Sequence, residues 1–400
     1  MDKKLVLFVI LLLVGVWVVV EFLQGPTPTP PEFPAFLVRG PWAAARHEEV
    51  VISFQVDTPQ EGTLLYWPEG SDEPVEVSFS AEAGQPVHLA LEGLPPGREY
   101  RYQLVFSDGL KTPSGRFVTP PAEFTPFTFL VYGDTRTFPE RHRLVTDRMA
   151  AEEAAFVIHT GDLVNSPINR DWDAFFSSGR RLFSSTLFYP VIGNHERNSL
   201  TYYRLFELPG AGGKQGEQWW AFYWGDVLFV GLDSNTQYLG VDGLREETDW
   251  LRETLSQPAR FTFVFFHHPL FSSDPHYGGN EGLAALWHPL FVELGVEAVF
   301  SGHVHAYEHL VRDGVHYLTT GGGGAPAYPL GEPIEGTIFA VSFILHYLRV
   351  EVEEEGVEVH MIPVAEVPEG ESPGEVRLLS GEPQESFWIS PRLPVEVPTP

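Results

Sequence analysis

The chain has 400 residues, with 25 Lys and Arg against 54 Asp and Glu, a formal net charge of −29 and no cysteine. That length carries two domains with cores of their own, and so acidic a field disfavours nucleic acid and anionic lipid as partners. Without cysteine there is no disulfide framework, thiolate metal site or thiol nucleophile; a small phosphorylated substrate stays open, because a bound cation inverts the local sign.

Residues 1–24 open with Lys3 and Lys4 and then the sixteen-residue apolar run LVLFVILLLVGVWVVV, Leu5 to Val20. As a helix this run rises about 24 Å, and Phe22 and Leu23 bring it near the span of a bilayer core. A cleaved signal peptide is the alternative, but EFLQG follows where a small-residue cleavage site belongs, which favours an uncleaved anchor. Either way the two lysines keep the N-terminus in the cytoplasm and send the body across the membrane, so the protein is expected outside the cytoplasm, anchored or secreted. Residues 25–36, GPTPTPPEFPAF, read as a stiff Pro-rich spacer.

From 37 to 119, short alternating runs such as VVISFQV, TLLYW, VEVSFS and YRYQLVF are separated by turn signals and predict an antiparallel β-sandwich. Beyond the TPPAEFTP linker the texture changes. Apolar strands FTFLVYG, AAFVIHTG, VLFVGLD, FTFVFFHH and AVFSG alternate with helical stretches such as PERHRLVTDRMAAEEA, which predicts an α/β domain over 127–363. Residues 364–400 turn Pro-, Glu- and Gly-rich and read as an edge segment running into a loose acidic tail.

Within the α/β region the polar residues fall at strand ends. FLVYGD ends at Asp134, FVIHTGD at Asp162, FYPVIGNHE at Asn194 and His195, FVFFHHP at His267 and His268, and AVFSGHVH at His303 and His305. In open α/β sheets ligands bind beyond the carboxyl ends of strands, so five strand ends can converge on one crevice. Glycine precedes the polar residue in four of the five, which permits a sharp turn and a close approach to a ligand. Carboxylate, amide oxygen and imidazole without sulfur suit zinc, manganese or iron. There are donors for two ions, and two ions clamp an in-line displacement at phosphorus.

These motifs, GDTR, GDLVN, GNHE, FFHHP and GHVH in that order, resemble the calcineurin-like metallophosphoesterase superfamily and, within it, purple acid phosphatases. The LEGLPPGREYRYQL stretch is similar to fibronectin type III-like domains, which purple acid phosphatases of the plant type carry N-terminally. The resemblance implies two packed mixed sheets flanked by helices behind the sandwich, and two divalent or trivalent metal ions (iron, manganese or zinc). It also implies a phosphomonoesterase in which a metal-bound hydroxide attacks phosphorus. A phosphodiesterase or nucleotide phosphohydrolase on the same site, or a non-catalytic surface protein with a weakened metal site, are the alternatives.

Carried over, Asp162 bridges the metals, Asn194, His267 and His303 complete one site, and Asp134 and His305 belong to the other. His195 stays off the metals and contacts the phosphoryl oxygens or helps protonate the leaving group, and His276 in the SSDPHYGGNEG loop is a candidate acid for the leaving alcohol. His268 is assigned to support or packing on strand alternation. Arg136 departs from the pattern, since many family members have a metal-binding His there. Purple acid phosphatases instead use a Tyr three residues after the bridging Asp, where this chain has Asn165. With Asn165 a further candidate ligand, three readings stay open: His142 supplies the missing imidazole, Arg136 clamps phosphate or supports the site, or the first metal binds weakly with waters filling its shell.

Overall fold

The computed structural model describes residues 32–391 apart from 47, 48, 72 and 373, so the apolar run Leu5–Val20 and residues 392–400 lie outside the described residues. Among the described residues no helix is long and apolar enough to cross a membrane.

The N-terminal strands are β1 (Leu37–Arg46), β2 (Glu49–Val56), β3 (Gln60–Pro68), β4 (Val75–Ala81), β5 (Pro86–Glu92), β6 (Glu99–Phe106) and β7 (Gly115–Val118). β3, β4, β6 and β7 form an antiparallel sheet in the order β4-β3-β6-β7. Its inner aromatics Phe79 and Phe106 meet Phe54 of β2 edge-on, at ring separations of 4.9 and 6.5 Å. Alternating burial along β6 puts Tyr100, Tyr102, Leu104 and Phe106 inside, as the period-two pattern predicts.

The rest of the chain supplies β8 (Phe127–Tyr132), α1 (Pro139–Met149), β9 (Phe156–His159), α2 (Asn169–Phe183), β10 (Leu187–Pro190), α3 (Leu200–Leu205), β11 (Gly210–Gly212), β12 (Trp219–Trp224) and β13 (Val227–Gly231). There follow α4 (Thr236–Leu255), β14 (Thr262–Phe265), α5 (Glu281–Glu293), β15 (Ala298–Ser301), β16 (Ala306–Arg312), β17 (Val315–Thr320), β18 (Thr337–Ser342), β19 (Ile344–Val352), β20 (Val357–Glu366), β21 (Arg377–Leu378) and β22 (Glu385–Ile389). One sheet runs β21-β20-β19-β8-β9-β10-β1-β2-β5, with β22 paired to β20, and the other runs β11-β12-β13-β14-β15-β17-β16-β18.

The second face of the sandwich, β1, β2 and β5, is thus continuous with the α/β sheet, joined where Ala43 pairs in parallel with Leu187 of β10. Within the Pro-rich C-terminal stretch, Glu385–Ile389 supplies an edge segment that pairs along β20 from Met361 to Val357. Its alternating ESFWI pattern fits a pleated edge.

The two large sheets pack through aromatic rings. Phe129 of β8 is fully buried and lies 5.4 Å from Phe156 in its own sheet and 5.1, 5.5, 6.3 and 6.2 Å from Phe229, Phe263, Phe265 and Phe300 in the other. α2 buries Trp172, Phe175, Phe176, Gly179, Leu182 and Phe183, one stripe at helical spacing, against α1 and β1. α4 and α5 cover the other sheet through Leu239, Leu251, Leu255, Leu283, Trp287, Leu290 and Phe291. A Phe129→Ala variant is expected to lose about 3–5 kcal/mol in denaturant unfolding; a loss below about 1 kcal/mol would show that this ring does not pin the sheets together.

Candidate metal centre

Parallel register sets the site. Tyr132 of β8 pairs with His159 of β9, and His159 with Pro190 of β10, so the turns bearing Asp134, Asp162 and Asn194 leave one edge side by side. In the facing sheet Phe265 of β14 pairs with Phe300 of β15, bringing out His267 and His303 on the same side. Small residues let these turns interlock. A Cβ on Gly302 would sit 2.4 Å from Asp134 Oδ2, and one on Gly193 would sit 2.3 Å from Asp162 Oδ1. Asp134, Asp162 and His303 adopt left-handed backbone with φ of 58°, 55° and 68°, a strained conformation for residues with a Cβ.

His267 Nε2 lies 3.0 Å from Asn194 Oδ1 and 3.2 Å from Asp162 Oδ1, while His303 Nδ1 lies 3.1 Å from the same Asn194 oxygen. Across the crevice His305 Nε2 is 3.4 Å from Asp134 Oδ1. The outward nitrogens are tied to backbone: His267 Nδ1 is 2.8 Å from the Thr160 carbonyl and His305 Nδ1 is 2.6 Å from that of Pro326. Carbonyls only accept, so in the neutral rings each Nδ1 carries the proton and each Nε2 aims a lone pair inward, the arrangement seen behind metal-bound histidines. Asp134 Oδ1 is buried with no hydrogen-bond partner.

Backbone N–H groups orient both carboxylates, His303 N giving to Asp134 Oδ2 at 2.8 Å and His195 N to Asp162 Oδ1 at 2.9 Å. Burial would raise the Asp162 carboxyl, but His267 and then His195 hold it well below the carboxylate range. Burial likewise works to lower His267, yet Asp162 lifts it to about 9, so this position draws positive charge. Burial, then the neighbouring His267, pulls His268 and His303 down to about 3 and 2, keeping both neutral. Converging lone pairs and an orphaned carboxylate oxygen fit a cation, and the oxygen and nitrogen donors suit a borderline or hard one. The structure groups Asp134, Asp162 and His267 in one potential ligand cluster, and His267, His268 and His303 in another.

The remaining candidates divide. His195 joins the site: its Nδ1 is 2.8 Å from the Asn165 carbonyl and its Nε2 3.8 Å from Asp162 Oδ2. Arg136 also reaches in, with Nε 3.6 Å from Asp162 Oδ2 and buried without a hydrogen-bond partner. Asn165 turns its side chain to Thr137, 3.5 Å away, and meets His195 through its backbone. His142 is not brought to the ligands: it is 1% exposed on α1, 3.3 Å from the Tyr132 hydroxyl and stacked on Phe175. Burial first, and then the neighbouring Arg143 charge, lower it to about 3. Arg136, Asn165, Arg170, His142 and Phe175 line a cavity of about 290 Å³ between α1 and α2. His276 is exposed, whereas its neighbour Tyr277 places its ring 4.6 Å from His303.

Three supports carried no sequence signal of their own. Glu196 is fully buried and accepts from the backbone N–H of Gly193, Asp162 and Val164 at 2.7, 3.0 and 3.1 Å, clamping two site turns together. Burial and Asp162 push its carboxyl up to about 8 while these donors act in the other direction. Tyr328 gives its hydroxyl to the His303 carbonyl and takes the His305 N–H, both at 3.1 Å. Buried Glu308 accepts from Ser272 and Ser273 and so anchors the loop that carries His276 and Tyr277. GNHE and GHVHAYEH contain both acids, but nothing in their spacing separates an acid that holds loops from one that meets a ligand.

A Gly302→Ala variant should lose at least about half of the bound metal by elemental analysis while its far-UV circular dichroism holds, because the added methyl displaces Asp134. Unchanged metal content would remove Gly302 from the account.

Known proteins agree with this geometry. A family model described as calcineurin-like phosphoesterase matches residues 127–307. A purple acid phosphatase of Glycine max is 27% identical over 327 residues, covering 72% of this chain and 68% of that one. Purple acid phosphatase 18 of Arabidopsis thaliana is 28% identical over 268 residues, 60% of this chain and 59% of its own length. The solved structure of purple acid phosphatase PPD1 from yellow lupin superposes with a TM-score of 0.71 at 16% identity, over 88% of this chain and 74% of the lupin chain, a likeness of fold. Residues 127–307 thus match the calcineurin-like phosphoesterase family, and the chain is similar to purple acid phosphatases, a likeness that supports a phosphoric ester hydrolase.

Proposed function

We propose that the chain is a metal-dependent phosphomonoesterase with a two-ion centre at the carboxyl edge of the sheets. The observation that carries this reading is the inward-facing set of Asp134, Asp162, Asn194, His267, His303 and His305, which leaves an oxygen of Asp134 without a proton donor. Asp162 would be shared between the ions, Asn194, His267 and His303 would hold one, and Asp134 and His305 the other. Bound ions supply acidified water and neutralise charge on the phosphoryl group. The names of the purple acid phosphatase relatives support monoesters as the substrate class.

The chain's own residues do the rest. Arg136 offers a planar guanidinium beside Asp162, suited to two non-bridging phosphoryl oxygens at once. His195, held by the Asn165 carbonyl at Nδ1, offers Nε2 to the phosphoryl or the departing oxygen. Arg136 also supports a second reading, a weakly held ion on the Asp134 side, because it stands where the family pattern has an imidazole. His276, exposed on the loop anchored by Glu308, is proposed to act on the leaving alcohol only when substrate draws that loop inward. The apolar Leu5–Val20 run supports an extracytoplasmic body tethered to a membrane.

Elemental analysis of protein purified without added metal or chelator should give about two ions per chain, and an aryl phosphate monoester should turn over faster than the matching bis-aryl diester. One ion or none after incubation with manganese, zinc and iron would sink the two-ion centre, and a diester preference would move the substrate class. His195→Ala is expected to lower kcat by about a hundredfold. Arg136→Ala should raise KM and weaken inhibition by inorganic phosphate by about tenfold with metal content unchanged; if metal content rises instead, the guanidinium competes with the first ion.

A further inference from the structure

His267 and His268 are neighbours in the chain, yet their Nδ1 atoms meet chemically different partners. At His267 and His305 the partner is a backbone carbonyl, which can only accept. At His268 it is the Ser234 hydroxyl, 2.9 Å away, which can give or take a proton. The same Ser234 oxygen already accepts the His268 backbone N–H at 2.9 Å.

Ser234 is 1% exposed, so water does not serve its hydroxyl. Among the described residues its oxygen has these two partners, both on His268. Were Nδ1 protonated, the oxygen would accept twice and the hydroxyl proton would be buried with no acceptor, a costly arrangement. If the hydroxyl donates to Nδ1, the hydroxyl, Nδ1 and the backbone N–H are all satisfied. The proton of the neutral ring then sits on Nε2, the reverse of His267 and His305.

The ring is well placed to use it. A ring nitrogen of His268 lies within 4.8 Å of those of His267 and His303, and the ring centroids are 4.9 and 4.5 Å apart. His268 is only partly buried, unlike His267. The turn that carries Ser234 is braced on both sides. Asp233 Oδ1 takes the Asn235 N–H and side-chain amide at 2.9 and 2.8 Å, that amide also reaches the Ile192 carbonyl at 3.1 Å, and Glu247 accepts the Asp233 N–H at 2.7 Å. The end of β13 is therefore a sixth strand end at the site, tied to the turn that bears Asn194.

We propose that Ser234 fixes His268 as the Nε2–H tautomer, making His268 a neutral hydrogen-bond donor to the substrate's phosphoryl group and not a third imidazole ligand beside His267 and His303. Ser234 is its positioning residue. The proposal rests on the phosphoesterase reading for the identity of the acceptor, but the tautomer follows from Ser234 alone.

The test uses the full chain loaded with zinc and labelled with ¹⁵N-histidine. The His268 ring should show a protonated Nε2 and an unprotonated Nδ1, a pattern kept in Ser234→Thr and lost in Ser234→Ala. His268→Ala should keep the wild-type zinc content while inorganic phosphate binds about tenfold more weakly, with His268→Gln, whose amide can donate, losing about threefold. A protonated Nδ1, the loss of one zinc equivalent in His268→Ala, or unchanged phosphate affinity in that variant would each overturn the proposal. If wild-type protein neither binds phosphate nor cleaves an aryl phosphate, the phosphoesterase reading fails, while the zinc content and the ring spectrum still decide whether His268 is a ligand.

Discussion

Lone pairs facing one another across a crevice are the constraint on which this architecture depends. Asn194 Oδ1 meets His267 Nε2, and Asp134 Oδ1 meets His305 Nε2, with the ring protons of His267 and His305 drawn away to backbone carbonyls. Such groups repel unless a positive charge lies between them. Holding them together needs stiff elements, and the parallel strands β8, β9, β10, β14 and β15, buried on both faces, supply that stiffness. The interlocked glycine turns and the Glu196 clamp then fix the loops to within hydrogen-bond tolerance.

Much of this was legible in the sequence, for a definable reason. Glycine followed by Asp, Asn or His after a buried strand states both where the turn lies and what it presents, so Asp134, Asp162, Asn194, His303 and His305 could be placed by pattern. His142 shows where spacing misleads. Eight residues after Asp134 it is near enough along the chain, but α1 turns the ring into an aromatic bed of Tyr132, Phe175 and Phe183, and the helix face decides its fate. His276 and Tyr277 show the same limit in a loop, where one residue of rotation decides which ring lies over His303. Glu196, Ser234 and Tyr328 were hidden because their work is with backbone groups or one partner far along the chain, which periodicity does not record.

The division into sandwich and α/β region was also only half visible. Alternation identified the strands, but it cannot say which sheet a strand joins. Here β1 keeps its sandwich partner β2 on one edge and pairs with β10 on the other, so mechanical continuity runs from the N-terminal strands to the strand that leads to Asn194. Arg39 adds to this seam, its guanidinium bonded to Asp173 and Asn169 of α2 as well as to Gln55. A perturbation of the sandwich therefore has a short covalent and hydrogen-bonded route to the turn that bears Asn194, which a flexible linker would not provide.

The left-handed backbone at Asp134, Asp162 and His303 sets up a tension for any attempt to improve this protein. Each residue with a Cβ in that conformation costs about 1–2 kcal/mol, and glycine would remove the cost without a steric objection. Laboratory evolution scored on heat resistance alone would therefore be rewarded for erasing the very positions proposed to hold metal, trading donors for relaxed turns. A library screened for thermal tolerance needs a second filter on metal retention, or its most robust winners will be empty scaffolds.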